Sequence, residues 1–159
     1  MSTRAHSDGI NAQSFRSRYK PMNFVCLWSP AWQTGAGSSV HGASELPEKQ
    51  VQLVRLATLL LTSAPRVAVD ARGVIWADAR GLNARVLAHA LLGLLKNDGV
   101  CDACAGLAST PIAAEFAAVR GQPGVTVVEP GTDRAYVALY PIDALEVPPR
   151  IKPLLFGIG

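Results

Sequence analysis

Asp70 and Asp78 are the residues whose type and spacing come nearest to a reaction centre. They flank Arg72-Gly73 in a run that reads Arg66-Val67-Ala68-Val69-Asp70 and then Gly73-Val74-Ile75-Trp76-Ala77-Asp78. Carboxylates serve two-metal phosphoryl transfer when they hold two ions about 3.5–4 Å apart. A turn near Arg72-Gly73 sets Asp70 opposite Val74 or Ile75. Asp78 then stands further along the strand, roughly 10–13 Å away at about 3.3 Å per residue. At that separation the two acids cannot share a metal pair, and the apolar run Asn23 to Trp28 adds no acid. The spacing therefore assigns no catalytic residue, no metal ligand and no cofactor. Asp70 reads as a turn-flanking acid, and Asp78 as the end of a strand before Arg80-Gly81.

The remaining reactive side chains are weaker candidates. Cys101-Asp102-Ala103-Cys104 has the C-x-x-C spacing of redox and zinc sites. A redox pair opens a helix after a strand; this one follows a helix and a turn and sits in a strand-like run. Residues three apart in a strand face opposite ways, and no second Cys or His pair lies near to complete a zinc site. Cys26 reads as a small packing residue. His89 falls among Leu and Ala at helical spacing and reads as a partly buried structural residue. Gly35-Ala36-Gly37-Ser38-Ser39 is not followed by Gly-Lys-Thr, so it is not a phosphate-binding loop. Trp28, Trp32 and Trp76 have the chemistry to stack on bases. Trp28 and Trp76 lie in apolar strands and are expected to be buried. That leaves Trp32, beside a loop, as the stacking candidate. Arg72, Arg80 and Arg85, near strand ends or a helix start, are the candidate phosphate contacts. With a net charge of +3, any DNA binding by this chain is expected to be weak and salt-sensitive.

The elements that position these residues can be read along the chain. The 159 residues are 49% hydrophobic and 17% charged, which suits one domain with a real core and argues against intrinsic disorder. No apolar run approaches the roughly 20 residues that span a bilayer, and the N-terminus has no apolar h-region, so a cytoplasmic protein without membrane contact is expected. Residues 1–21 are polar and aperiodic and read as a flexible tail; Met22 is a second candidate start. Asn23 to Trp28 reads as a buried strand stopped by Ser29-Pro30, and 33–45 has the Gly/Ser composition of a loop. A helix follows, with Pro47 in its first turn and a stripe of Leu53, Val54, Leu56, Ala57, Leu60 and Leu61; Pro65 ends it. Arg66 to Ala71 and Gly73 to Ala79 form a tight hairpin. Asn83 to Lys96 is a second helix with Val86, Leu87, Ala90, Leu91, Leu94 and Leu95 inward, closed by Gly99. Val100 to Ala108 is a fourth strand. Thr110 caps a short helix opened by Pro111, Val125 to Glu129 is a fifth strand, and Asp133 to Leu139 a short helix. Strand-helix-strand-strand-helix-strand is the split βαβ order. It predicts an α+β, ferredoxin-like antiparallel sheet with helices on one face and the first and third strands central.

A ferredoxin-like sheet alone does not indicate an activity. The run Phe24 to Trp32, the hairpin from Gly73 to Leu82, the Gly106-Leu107-Ala108 strand leading into Thr110-Pro111-Ile112-Ala113-Ala114-Glu115, and the Val125-to-Gly131 and Leu139-to-Leu145 stretches together resemble the palm of a Y-family DNA polymerase. Within that family they are most similar to the degenerate ImuB-type accessory branch of the bacterial mutasome, over about Met22 to Gly159. Active members carry metal-binding carboxylates on the first strand and the hairpin, and basic residues at the helix start. Here Trp28-Ser29-Pro30, Arg72-Gly73, and Thr110-Pro111 with Ala114-Glu115 stand in those places.

The resemblance implies a palm-like domain over 22–145, with the fingers reduced to the loop at 33–45. It also implies the start of a truncated thumb at 146–159. It further implies a non-catalytic scaffold in translesion synthesis and DNA damage tolerance. The implied partners, an error-prone replicative polymerase and the sliding clamp, would bind through regions beyond these. A free-standing ferredoxin-like binding or regulatory domain is the alternative, and an active nucleotidyltransferase the third reading.

Overall fold

The computed structural model describes residues 22–33, 45–70, 72–141 and 144. The expected tail at 1–21, nearly all of the expected loop at 33–45 and the expected thumb start at 146–159 lie outside the described residues. Strand β1 (Phe24–Trp28) alternates: Val25 and Leu27 point to one side of the sheet, Phe24, Cys26 and Trp28 to the other. A short 3-10 turn, Pro30–Trp32, stops it. The Ser29 hydroxyl accepts from the Ala31 amide at 3.2 Å and donates to Asp102 Oδ1 at 2.8 Å, which ties this turn to the segment before the fourth strand. Helix α1 (Glu45–Leu60) leads to the hairpin of β2 (Val67–Asp70) and β3 (Val74–Asp78). The hairpin turns at Gly73, whose φ of +80° suits glycine. Space also demands it: a Cβ there would stand 2.5 Å from the Trp32 carbonyl oxygen.

Helix α2 (Ala84–Asn97) is capped by the Asn83 side chain, which accepts from the Arg85 and Val86 amides. Strand β4 (Cys104–Ala108) starts later than its apolar sequence suggests. The Val100 amide donates to Leu95 O at the end of α2 and the Asp102 side chain accepts from the Ser29 hydroxyl, so residues 100–102 connect, and pairing begins only at Ala103, whose carbonyl accepts from the Gly124 amide at 3.4 Å. Helix α3 (Pro111–Arg120), β5 (Gly124–Val127) and α4 (Asp133–Val137) complete the described chain.

The sheet order is β2-β3-β1-β4-β5, antiparallel except for the β4–β5 pair. The first four strands with α1 and α2 form a ferredoxin-like α+β unit, and α3 is the crossover that makes β5 parallel to β4. Leu53, Leu56, Leu60, Leu87, Leu91 and Leu95 bury one sheet face. Val54, Leu61, Val86 and Ala90, expected inward, are exposed, because they lie one position off the buried stripes. His89 is exposed as well.

The expectation of helices on one face holds for α1 and α2 only, since α3 packs on the opposite face against β1, β4 and β5. That approach is very close: a Cβ on Gly106 would lie 2.0 Å from the Ala114 carbonyl oxygen. Among the described residues no helix is long and apolar enough to cross a membrane.

Candidate functional site

The face shared with α3 carries the candidate site. Strand parity sends Phe24, Cys26 and Trp28 from β1, and Val74, Trp76 and Asp78 from β3, to this side. Helix α3 covers it over β1, β4 and β5, and among the described residues no element covers it toward the β2–β3 hairpin. A cavity of about 620 Å³ lies there between Trp28, Arg72, Trp76, Ile112, Glu115 and Phe116. A second, of about 520 Å³, holds Phe24, Arg66, Asp78 and Arg80, and the two share Trp76 and Pro111.

Arg72, in the hairpin turn, grips two acids at the rim of the larger cavity. Its Nε and Nη2 donate to Asp70 Oδ1 and Oδ2 at 3.1 and 2.8 Å. Its Nη1 and Nη2 donate to Glu115 Oε1 and Oε2 at 2.5 and 3.1 Å. Both contacts use the two-pronged geometry that guanidinium provides and ammonium does not. The Arg72 side chain and amide hold the Asp70 carboxyl below the usual carboxylate range. Cys26 lies beneath this group; burial, and then the Glu115 charge, push its thiol well up, so it packs as a neutral side chain.

Asp78 belongs to a separate pair. The Arg80 side chain reaches it at 2.6 Å and the Arg80 amide at 3.0 Å, which lowers its carboxyl to about 2. The register sets Asp70 opposite Val74 and Asp78 opposite Phe24, so four strand steps, about 13 Å, part the two acids. Among the described residues no three His, Cys, Asp or Glu side chains converge as a metal ion requires. Cys101 is exposed and Cys104 buried at the start of β4.

The residues singled out from sequence fare unevenly. Arg72 is at the site, but its charge is engaged by Asp70 and Glu115. Arg80, at the second cavity, is engaged by Asp78. Arg85 lines neither cavity and pairs with Glu129 at 2.6 Å. Trp32, expected to be accessible beside the loop, is 3% exposed, because the 3-10 turn folds it into the α1–α2 core. Trp28 and Trp76, expected to be buried, are half-buried, packed in part against the core on the α3 side.

Sequence reasoning missed Glu115, Arg66 and Arg120 as members of this face. The strand alternation was the available signal for the aromatics: Phe24, Trp28 and Trp76 share one parity across two paired strands. Thr110 sits at the start of α3 as expected, but its hydroxyl does not cap the helix. Asp133 Oδ1 instead accepts from the Ser109 amide, the Thr110 amide and the Thr110 hydroxyl at 2.9, 2.9 and 3.0 Å.

No protein-family model, curated protein or solved structure matches this chain.

Proposed function

We propose that this chain is a non-catalytic, Y-family polymerase-like accessory domain of the ImuB type, acting in the cytoplasm as a scaffold in DNA damage tolerance. Its partners on this reading are an error-prone replicative polymerase and the sliding clamp.

One observation carries the reading: the chain's own guanidinium stands between the acids nearest the expected reaction centre. In the family this chain resembles, the first strand and the hairpin present carboxylates to divalent cations. Here the first strand is acid-free, and Asp70 and Glu115 already share the positive charge of Arg72. A magnesium ion entering there would have to displace four charge-assisted hydrogen bonds. Asp78, about 13 Å along the hairpin, is too far to help and is held by Arg80. Such a fold keeps the shape of a polymerase palm as a surface for assembly while its charges are balanced internally.

Deleting the gene from its host and measuring damage-induced mutation tests the reading. Induced mutation frequency is expected to fall several-fold, and re-expression of the chain with its native flanking sequence to restore it. Unchanged induced mutagenesis overturns the scaffold role. Templated primer extension by the purified chain with magnesium or manganese overturns the non-catalytic assignment.

A further inference from the structure

We propose that the open face of the sheet is a stacking platform for single-stranded DNA, centred on Trp76 and flanked by Phe24 and Trp28. The stacking surface rests on geometry. The choice of DNA over RNA rests on the damage-tolerance reading above.

The three rings lie on the same side of two adjacent central strands. Trp76 is paired with Cys26, so Phe24 and Trp28, two residues to either side of Cys26, are its diagonal neighbours. Diagonal neighbours stand about 7–8 Å apart. Bases stacked in a duplex rise only about 3.4 Å per step. Successive bases therefore meet these rings only if they have parted from each other, which a single strand does readily and a duplex does not. All three rings are half-buried, each packed in part against the core on this face and in part lining a cavity, and the two cavities share Trp76 and Pro111 as walls.

The charges at the ends of this groove fit a polyanion. Arg66 lines the cavity beside Phe24 and Arg120 the cavity beside Trp28. Both are exposed, and neither forms an ion pair with a carboxylate among the described residues. Arg72 and Arg80, by contrast, are each matched by acids. The groove thus offers aromatic surface in its middle and, at each rim, an exposed guanidinium with no direct carboxylate partner among the described residues, Arg66 only acting on Asp78 at longer range, the combination by which single strands are held with little sequence preference. An acidic peptide would satisfy the two arginines, but it would rarely bring three planar groups in file.

Fluorescence anisotropy of the full chain with labelled dT12, U12 and a twelve-base-pair duplex tests this at low salt. The expected order is dT12 tightest, then U12, then duplex, with quenching of tryptophan emission on binding. Trp76→Ala is expected to weaken dT12 binding about 5- to 150-fold, the loss of one stacked base, and Trp76→Phe to retain most of it. Substituting Arg66 and Arg120 together with Ala, both at exposed positions that leave the core intact, is expected to lower the slope of log K against log salt by about 1.4. Trp76→Ala binding dT12 as tightly as the parent, with an unchanged circular dichroism spectrum, overturns the platform. So does an aromatic, Glu-rich peptide that binds the groove and that dT12 does not displace. Tighter binding of U12 through Trp76 overturns the choice of DNA and counts against the damage-tolerance reading. Binding of neither strand overturns the platform and leaves that reading to its mutagenesis test.

Discussion

Replacing Arg72 with Ala isolates the group that the functional reading depends on. The substitution removes two two-pronged contacts, to Asp70 and to Glu115, and leaves the two carboxylates without the cation they share. Exposed ion pairs contribute about 0.2–1 kcal/mol each. The three side chains are 37%, 29% and 25% exposed, so solvent screens them in part and an interior-dielectric figure would overstate the effect. The paired geometry puts each contact near the top of that range. With the repulsion that Arg72 now suppresses, the total loss comes to about 2 kcal/mol. In urea, with a slope of about 1–3 kcal/mol/M, the unfolding midpoint falls by roughly 1 M.

The pH dependence provides an internal check on that figure. Arg72 holds the folded-state Asp70 carboxyl below its ordinary value. The stability this contributes is fully present above the unfolded value of about 3.9, and is lost as pH falls through the lower folded value. The variant lacks that contribution, so the two stability curves should converge below about pH 4. Near 1 M salt, where the Debye length is about 3 Å, the gap at neutral pH should narrow. Arg72→Lys should recover less than half of the loss, because an ammonium cannot grip both acids two-pronged. A variant as stable as the parent at pH 7, or a gap that persists undiminished to about pH 2.5, would refute the reasoning.

Gly106→Ala places a Cβ 2.0 Å from the Ala114 carbonyl oxygen and 2.4 Å from the Ala118 amide nitrogen. Both are backbone atoms, so α3 must move off the sheet, at a cost of about 3 kcal/mol in urea unfolding. Asp133→Ala leaves the Ser109 and Thr110 amides without their acceptor at the start of α3 and should cost about 2 kcal/mol, with Asp133→Asn costing less. Of the three cysteines, Cys101 should react with a thiol reagent in the native state. Cys26 and Cys104, whose thiols are pushed up by burial, should react only after denaturant is added.

Local pattern determined most of the element order. A short apolar run placed β1, strand-favouring residues about a tight turn placed the β2–β3 hairpin, the leucines at helical spacing placed α1 and α2, and Gly73, Gly99 and Pro111 marked a turn, a helix end and a helix start. These signals are legible because they arise from backbone sterics and side-chain periodicity within a few residues. Parity within β1 and β3 was the unused local signal for which side chains share a face.

Whether that face is covered was a tertiary question. Trp32, the expected stacking candidate beside the loop, is buried, and Trp28 and Trp76, expected to be buried, are only half-buried. The exposure of Trp28 and Trp76 depends on where α3 docks over Gly106, and the burial of Trp32 on how the turn after β1 meets α1 and α2. The charges followed the same rule. Arg72 meets Glu115 across 43 positions, and Arg85 meets Glu129 across 44. Only the strand order β2-β3-β1-β4-β5 and the side on which α3 crosses bring the Arg72 pair together. A chain read locally shows which groups are charged and which way they point. It does not show their neighbours across the sheet, because ion pairing depends on distance in space and sequence records only distance along the chain.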